Sequence, residues 1–201
     1  MKKLLNQADR YVDEMLDGIV AAHPELKRVP GTQVIVRAHP KAKVALVSGG
    51  GSGHEPAHAG YVGDGMLDAA VSGSVFTSPT PDQVLAAIRA VDQGQGVLLV
   101  IKNYTGDVMN FEMAADLASM EGIAIEKVIV ADDVAVENST YTVGKRGIAG
   151  TVFVHKIAVR RRKRDLNWRR SSGLQRRSFK TSTAWEWPYP RVPYGERQAK
   201  F

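Results

Sequence analysis

An apolar, strand-like run, Val44-Ala-Leu-Val-Ser48, stops at a cluster of glycines, Gly49-Gly-Gly-Ser-Gly53, and is followed by His54-Glu-Pro56. Glycine lets a backbone approach a ligand closely and takes positive φ without a Cβ penalty. Proline is tolerated in a first helical turn, where its missing N–H would have no partner anyway. A strand, a glycine bend and a helix opening at Pro56 predict a cradle lined with backbone amides, suited to a small polar ligand. His54 stands at its lip as the nearby side chain that titrates around neutral pH. The segment lacks G-x-x-x-x-G-K-[ST], so it is not a P-loop. Its glycines do not give G-x-G-x-x-G followed by an acidic residue about twenty positions on, which weakens a dinucleotide reading. A glycine-rich turn with no ligand is the alternative.

Around this segment strand and helix signals alternate. Tyr11, Val12, Met15, Leu16, Ile19 and Val20 recur at helical spacing within 8–22. Gln33–Ala38 and Val44–Ser48 read as strands, whereas 66–76 alternates too briefly to assign. Thr80-Pro-Asp-Gln83 is a capping box with proline at the first helical position and predicts a helix over Pro81–Val91, ended by Gly94 and Gly96. Val97–Ile101 is fully apolar, as in strands buried on both faces of a sheet. A turn over Lys102–Asp107, a helix from about Val108 to Met120 and a buried strand over Lys127–Ala131 follow. The pattern predicts an α/β fold with a mainly parallel or mixed sheet flanked by helices.

In such sheets ligands bind beyond the carboxyl ends of the strands. Three loops fall there: Gly49–His54, Lys102–Asp107 and Asp132–Asp133. His54 is a candidate acid, base or nucleophile, or else an ordinary polar residue at a helix start. His58 is a second site group or a lining residue, and the lining role is favoured. Lys102 ends a buried strand, so its charge must emerge into a cleft or into solvent. Asp107 precedes an apolar helix and reads equally as an N-cap or as a base. Asp132 and Asp133 are a solvated strand-end pair or, with no histidine beside them, a poor metal site; no metal is expected. Phe76-Thr-Ser-Pro-Thr-Pro-Asp82 is a rigid loop that could wall a pocket.

Charge divides the chain in two. Of 27 basic and 21 acidic residues, 14 basic and 3 acidic lie in residues 156–201, so a net charge of +6 hides an acidic body and a strongly basic tail. All three tryptophans, Trp168, Trp185 and Trp187, are also in the tail. The absence of cysteine excludes disulfides and thiol chemistry and fits a reducing compartment. No apolar run approaches the roughly 18 residues of a membrane span. The basic start turns polar too soon for a signal peptide, so a cytoplasmic location is expected.

Gly49–Gly63, Phe76–Asp82, Ile101-Lys-Asn-Tyr-Thr-Gly-Asp107, Asp132-Asp-Val-Ala-Val136 and Gly144-Lys-Arg-Gly-Ile-Ala-Gly150 together resemble the dihydroxyacetone kinase substrate-binding subunit family, through His155-Lys-Ile-Ala158. The resemblance implies the first α/β domain of that subunit, truncated, over residues 1–158. It implies that Gly51, Ser52, Gly53, His54, Lys102 and Asp107 hold dihydroxyacetone, with Asp107 as the base and His54 orienting the substrate or assisting proton transfer. It implies a phosphoryl donor, ATP or a tightly held ADP recharged by a phosphotransferase relay, bound with Mg²⁺ on a partner subunit or domain and not by this chain. A homodimer is the family's assembly. The family continues with an Ala-rich helix and a second α/β domain whose histidine traps the substrate ketone covalently. That portion is missing, His155 in a strand-like region is a poor substitute, and the chain as written is expected to be inactive or a mere ketose-binding remnant.

After Ala158 the resemblance stops. One codon choice for Ala158–Ser172, read from its third base, yields an Ala-rich start followed by a helix-like pattern. The same offset applied to Lys180–Val192 again yields text like the family's. Residues 159–201 are therefore expected to be a basic, disordered tail produced by a frameshift. The competing reading is a nucleic-acid-binding arm, with cations on phosphates and aromatics stacked on bases; nucleic acid is the less favoured partner.

Overall fold

A computed structural model describes residues 6–136 and 144–164, with side chains up to residue 160. The basic segment 165–201 lies outside the described residues. After a short 3-10 turn, Ala8–Arg10, come α1 (Tyr11–Ala22), β1 (Leu26–Arg28), β2 (Val34–Arg37), β3 (Ala45–Ser52), β4 (Ala69–Val75), α2 (Pro81–Val91), β5 (Val97–Lys102), α3 (Thr105–Met120), β6 (Ile125–Val130) and α4 (Thr151–Arg164). The six strands form one mixed sheet in the order β1-β2-β4-β3-β5-β6. β3, β4, β5 and β6 are mutually parallel, while β2 pairs antiparallel with both β1 and β4.

From β3 the chain steps to β4 on one side, then α2 carries it back across to β5 on the other. The strand order thus reverses at β3, which creates a crevice beyond its carboxyl end. Register with β5 ends at Ser48↔Val100, whereas pairing with β4 continues to Ser52↔Val75. The last residues of β3 therefore project past the paired part of β5.

Two apolar layers close the faces. On one, Ala45, Val47, Val71, Leu99 and Ile101 pack against Val84, Ile88, Phe111 and Ala114 of α2 and α3. On the other, Ile35, Leu46 and Ala70 meet Val12 and Leu16 of α1, Val62 and Leu67 of the β3–β4 connection, and Val159 of α4. Burial of each large aliphatic side chain contributes about 1.5–3 kcal/mol.

The structure changes several local expectations. Gly49, Gly50, Gly51 and Ser52 belong to β3 and are not a bend after it. Their lack of Cβ serves packing: a Cβ on Gly51 would lie 2.6 Å from the Thr77 nitrogen, and one on Gly73 2.0 Å from the Thr77 oxygen. Only glycine lets the 76–78 loop fold down on the ends of β3 and β4. No helix opens at Pro56; that segment is a series of turns leading to a 3-10 turn at Ala59–Tyr61. α2 has its expected bounds, but the capping box is open. The Gln83 Oε1 accepts the Gln33 N–H at 2.8 Å instead of returning to Thr80. His155 lies in a helix, α4, and not in a strand; α4 runs on past Ala158, with Val159 buried.

Candidate active site

A cavity of about 470 Å³ occupies the crevice at the end of β3. His54, His58 and Tyr61 line it from the β3–β4 connection, Lys102 and Tyr104 from the end of β5, and Gly147–Ala149 and His155 from the start of α4. The segment leading into α4 is tied down by the two carboxylates at the end of β6. Asp132 accepts the Ile148 and Gly150 N–H groups, both at 2.7 Å, through its two oxygens. Asp133 accepts two bonds from Arg146, at 2.7 and 3.0 Å, and this guanidinium holds its carboxyl below the usual carboxylate range. Both carboxylates are thus committed to bonds within the chain, unlike a freely solvated strand-end pair. Their role is to anchor the wall that carries His155.

Asp107 is not an N-cap. α3 begins at Thr105, earlier than expected, with Tyr104 in the capping position, so Asp107 sits inside the first turn. It is buried, and burial raises its carboxyl above the usual value, opposed by a bond from Ser78 and by the nearby Lys102. Oδ1 has no hydrogen-bond partner. A helix N-terminus favours negative charge, so a partly desolvated carboxylate is tolerable there. Lys102 is half-buried; burial lowers its ammonium from the usual value, against the pull of Asp107 and Asp132.

His54 is exposed at the mouth. Its ring meets Phe76 edge-on, centroids 5.2 Å apart, and burial followed by the Lys102 charge lowers its basicity. Phe76 has φ of 51°, left-handed for a non-glycine residue, and its N–H donates to the Ser52 oxygen at 2.8 Å. Such backbone strain clusters at functional sites. Gly53, with φ of 106°, donates its N–H to both Glu55 oxygens at 2.9 and 3.2 Å.

Of the sequence-derived candidates, His54 and Lys102 line the cavity directly; Asp107 is not among its lining residues and lies beside Gly50, where a Cβ would come within 3.7 Å of its Oδ2. Gly51 and Ser52 are the last two residues of β3. The Ser52 Oγ is buried and donates to the Gly73 oxygen at 2.7 Å, which leaves it a structural tie. Sequence reasoning missed Ser78 on Asp107, Tyr104, Ser48 and the position of His155. The motif Phe76–Asp82 contained the signal for Ser78, since a wall was expected there; nothing in the sequence marked His155. His155 is fully buried, both its ring nitrogens lack partners, and burial lowers its pKa to about 4.

Residues 17–176 match the Dak1 domain family. The chain is 64% identical over 159 residues to the PTS-dependent dihydroxyacetone kinase 1, dihydroxyacetone-binding subunit DhaK, of Listeria innocua, covering 78% of this chain and 48% of that protein. Identity to the PEP-dependent dihydroxyacetone kinase subunit DhaK of Escherichia coli is 52% over 159 residues, or 78% and 45% of the two chains. The chain thus spans about half the length of these relatives. The fold superposes on the dihydroxyacetone kinase from C. freundii in complex with AMP-PNP and Mg²⁺ with a TM-score of 0.75 at 45% identity, covering 81% of this chain and 31% of that one. With the mixed sheet, the crevice at β3 and this similarity together, the chain belongs to the Dak1 domain family, that of the dihydroxyacetone kinases.

Proposed function

We propose that the chain binds dihydroxyacetone in the cavity at the end of β3 and offers one of its hydroxyls to Asp107 for phosphorylation. The observation that carries this reading is a buried carboxylate with one free oxygen, at the N-terminus of α3, beside a half-buried lysine. A raised carboxyl is a stronger base than an exposed one and takes the proton that the hydroxyl gives up. Lys102 donates to the carbonyl oxygen, and the exposed His54 closes over the ligand from the mouth. The dihydroxyacetone-binding subunits that the chain resembles support the choice of ligand.

The described residues do not suit a magnesium nucleotide. They include no group of three or more His, Asp or Glu placed to hold a metal. Of the glycines that could have wrapped a phosphate, Gly49, Gly50 and Gly51 are strand residues, and the 76–78 loop covers Gly51. The donor belongs on a partner subunit or domain, in a cytoplasmic assembly built on a dimer of the substrate-binding subunit. Calorimetric titration with dihydroxyacetone tests the reading. Binding is expected in the wild type and a loss of about tenfold or more in Lys102→Met, the size of one lost charge-assisted hydrogen bond. Absence of heat in the wild type, together with unchanged spectra, would overturn it.

A further inference from the structure

His58 lines the cavity, almost wholly buried, and of its two readings, second site group or lining residue, the sequence favours the lining role. Its hydrogen bonds say more. The Ser48 hydroxyl lies 2.6 Å from the Val100 oxygen and 3.2 Å from His58 Nδ1. A hydroxyl has one proton to give. The short contact to a carbonyl, which can only accept, claims that proton. The contact to Nδ1 then requires the ring nitrogen to donate. His58 is therefore the Nδ1–H tautomer, and its neutrality follows from burial first and from the charge of Lys102. Nε2 is left as a bare lone pair, buried and without a partner.

His58 and Asp107 meet over Gly50. A Cβ there would lie 3.5 Å from His58 Nε2 and 3.7 Å from Asp107 Oδ2, so these two atoms lie no more than about 7 Å apart over the same bare backbone; the oxygen without a partner is Oδ1 of that same carboxylate. Each has an unpartnered buried atom, and leaving such an atom unmade costs about 1–3 kcal/mol. Two acceptors that cannot donate suit a ligand with two hydroxyls. Lys102, which lines the cavity, supplies a cation for a carbonyl between them.

We infer that His58, fixed as its Nδ1–H tautomer by Ser48, is the acceptor that recognises the second hydroxyl of the ligand, while Asp107 takes the first. This rests on the proposed binding of dihydroxyacetone and names the residue that selects a dihydroxy over a monohydroxy ketone. A site built to bond a hydroxyl discriminates strongly against an analogue that lacks it.

The test uses the 201-residue chain with ¹⁵N-labelled histidine. In the free protein, His58 is expected to show a protonated Nδ1 and an unprotonated Nε2, and Ser48→Ala is expected to turn this into a mixture of tautomers. A protonated Nε2 in the wild type overturns the inference. Dihydroxyacetone is expected to shift His58 Nε2 along with His54. A shift at His54 with none at His58 overturns the inference and leaves the proposed function standing; no shift at any histidine ends both.

The matching variant is His58→Asn, whose amide N–H replaces Nδ1–H against Ser48 but ends short of Nε2. The wild type is expected to prefer dihydroxyacetone over hydroxyacetone by about tenfold or more, and the variant by no more than about twofold. An undiminished preference in a variant that still binds overturns the assignment. If the variant fails to fold, the wild-type spectra alone decide.

Discussion

On the α2/α3 face, β3 contributes Ala45, Val47 and Gly49; on the α1/α4 face the same strand contributes Leu46, Ser48 and Gly50. The first set stays apolar to the end, where a Cβ on Gly49 would meet Phe111 at 3.1 Å. The second turns polar toward the carboxyl end, and beyond it lie His58 and His155 with three unpartnered ring nitrogens between them. One side of the sheet is built for cohesion. The other accepts buried polar groups whose partners a ligand can supply, and a folded chain holds such groups only at a cost in stability.

The contrast can be broken by truncating the cohesive face. Phe111→Ala is expected to destabilise the chain by about 3–5 kcal/mol, the range for large buried aromatics, with denaturant unfolding as the measurement. A loss below about 1 kcal/mol would show that this face does not hold the fold together.

The polar face is probed by acid. Above pH 6.5, His155 is neutral in both the folded and unfolded chain. As pH falls from 6.5 toward 4, the unfolded form takes up a proton that the folded form refuses, since burial lowers the folded pKa to about 4. Stability is therefore lost across that window, by about 3 kcal/mol from this group. His155→Leu is expected to flatten the decline in urea midpoint between pH 6.5 and 4. An equal decline in both proteins would mean that the histidine is already charged or already solvated. His58, lowered by burial in the same direction, adds to the slope of both.

The smallest effect is expected where the polar face is anchored. Asp132→Ala removes the acceptor of two N–H groups before α4 and is expected to cost about 1–2 kcal/mol, the range for a lost cap. Hydrogen exchange should show it locally, as faster exchange at Ile148 and Gly150. Unchanged protection would mean that α4 is held by its apolar contacts alone, such as buried Val159.

Most of the sheet and its covering helices could be read from pattern, because each buries a regular stripe. α1, α2 and β5 show it plainly, and the end of α3 at Met120 was legible too. Where the elements are short or made of small residues, pattern failed. β1 has three residues, too few for a period. β4, Ala-Ala-Val-Ser-Gly-Ser-Val, is chosen for close approach to β3 and its loop, which erases alternation. α4 opens Thr-Val-Phe-Val, a run that reads as strand until Asp132 and the packing of Val159 make it a helix. The glycines were legible as a place of close approach, but what approaches is the chain's own 76–78 loop.

By itself the sequence determined the α/β alternation, the apolar strands and the three loops that carry His54, Lys102 and Asp107, since these depend on local periodicity and on punctuation by glycine, proline and charge. Only the tertiary structure decided that Asp107 is a buried carboxylate and not a cap, that Asp132 and Asp133 are anchors, and that Ser48 sets the proton on His58. Those roles depend on which groups far apart in the chain meet at one strand end, and on how many protons and lone pairs remain once each has found its partner. Hydrogen-bond accounts of that kind close only in three dimensions.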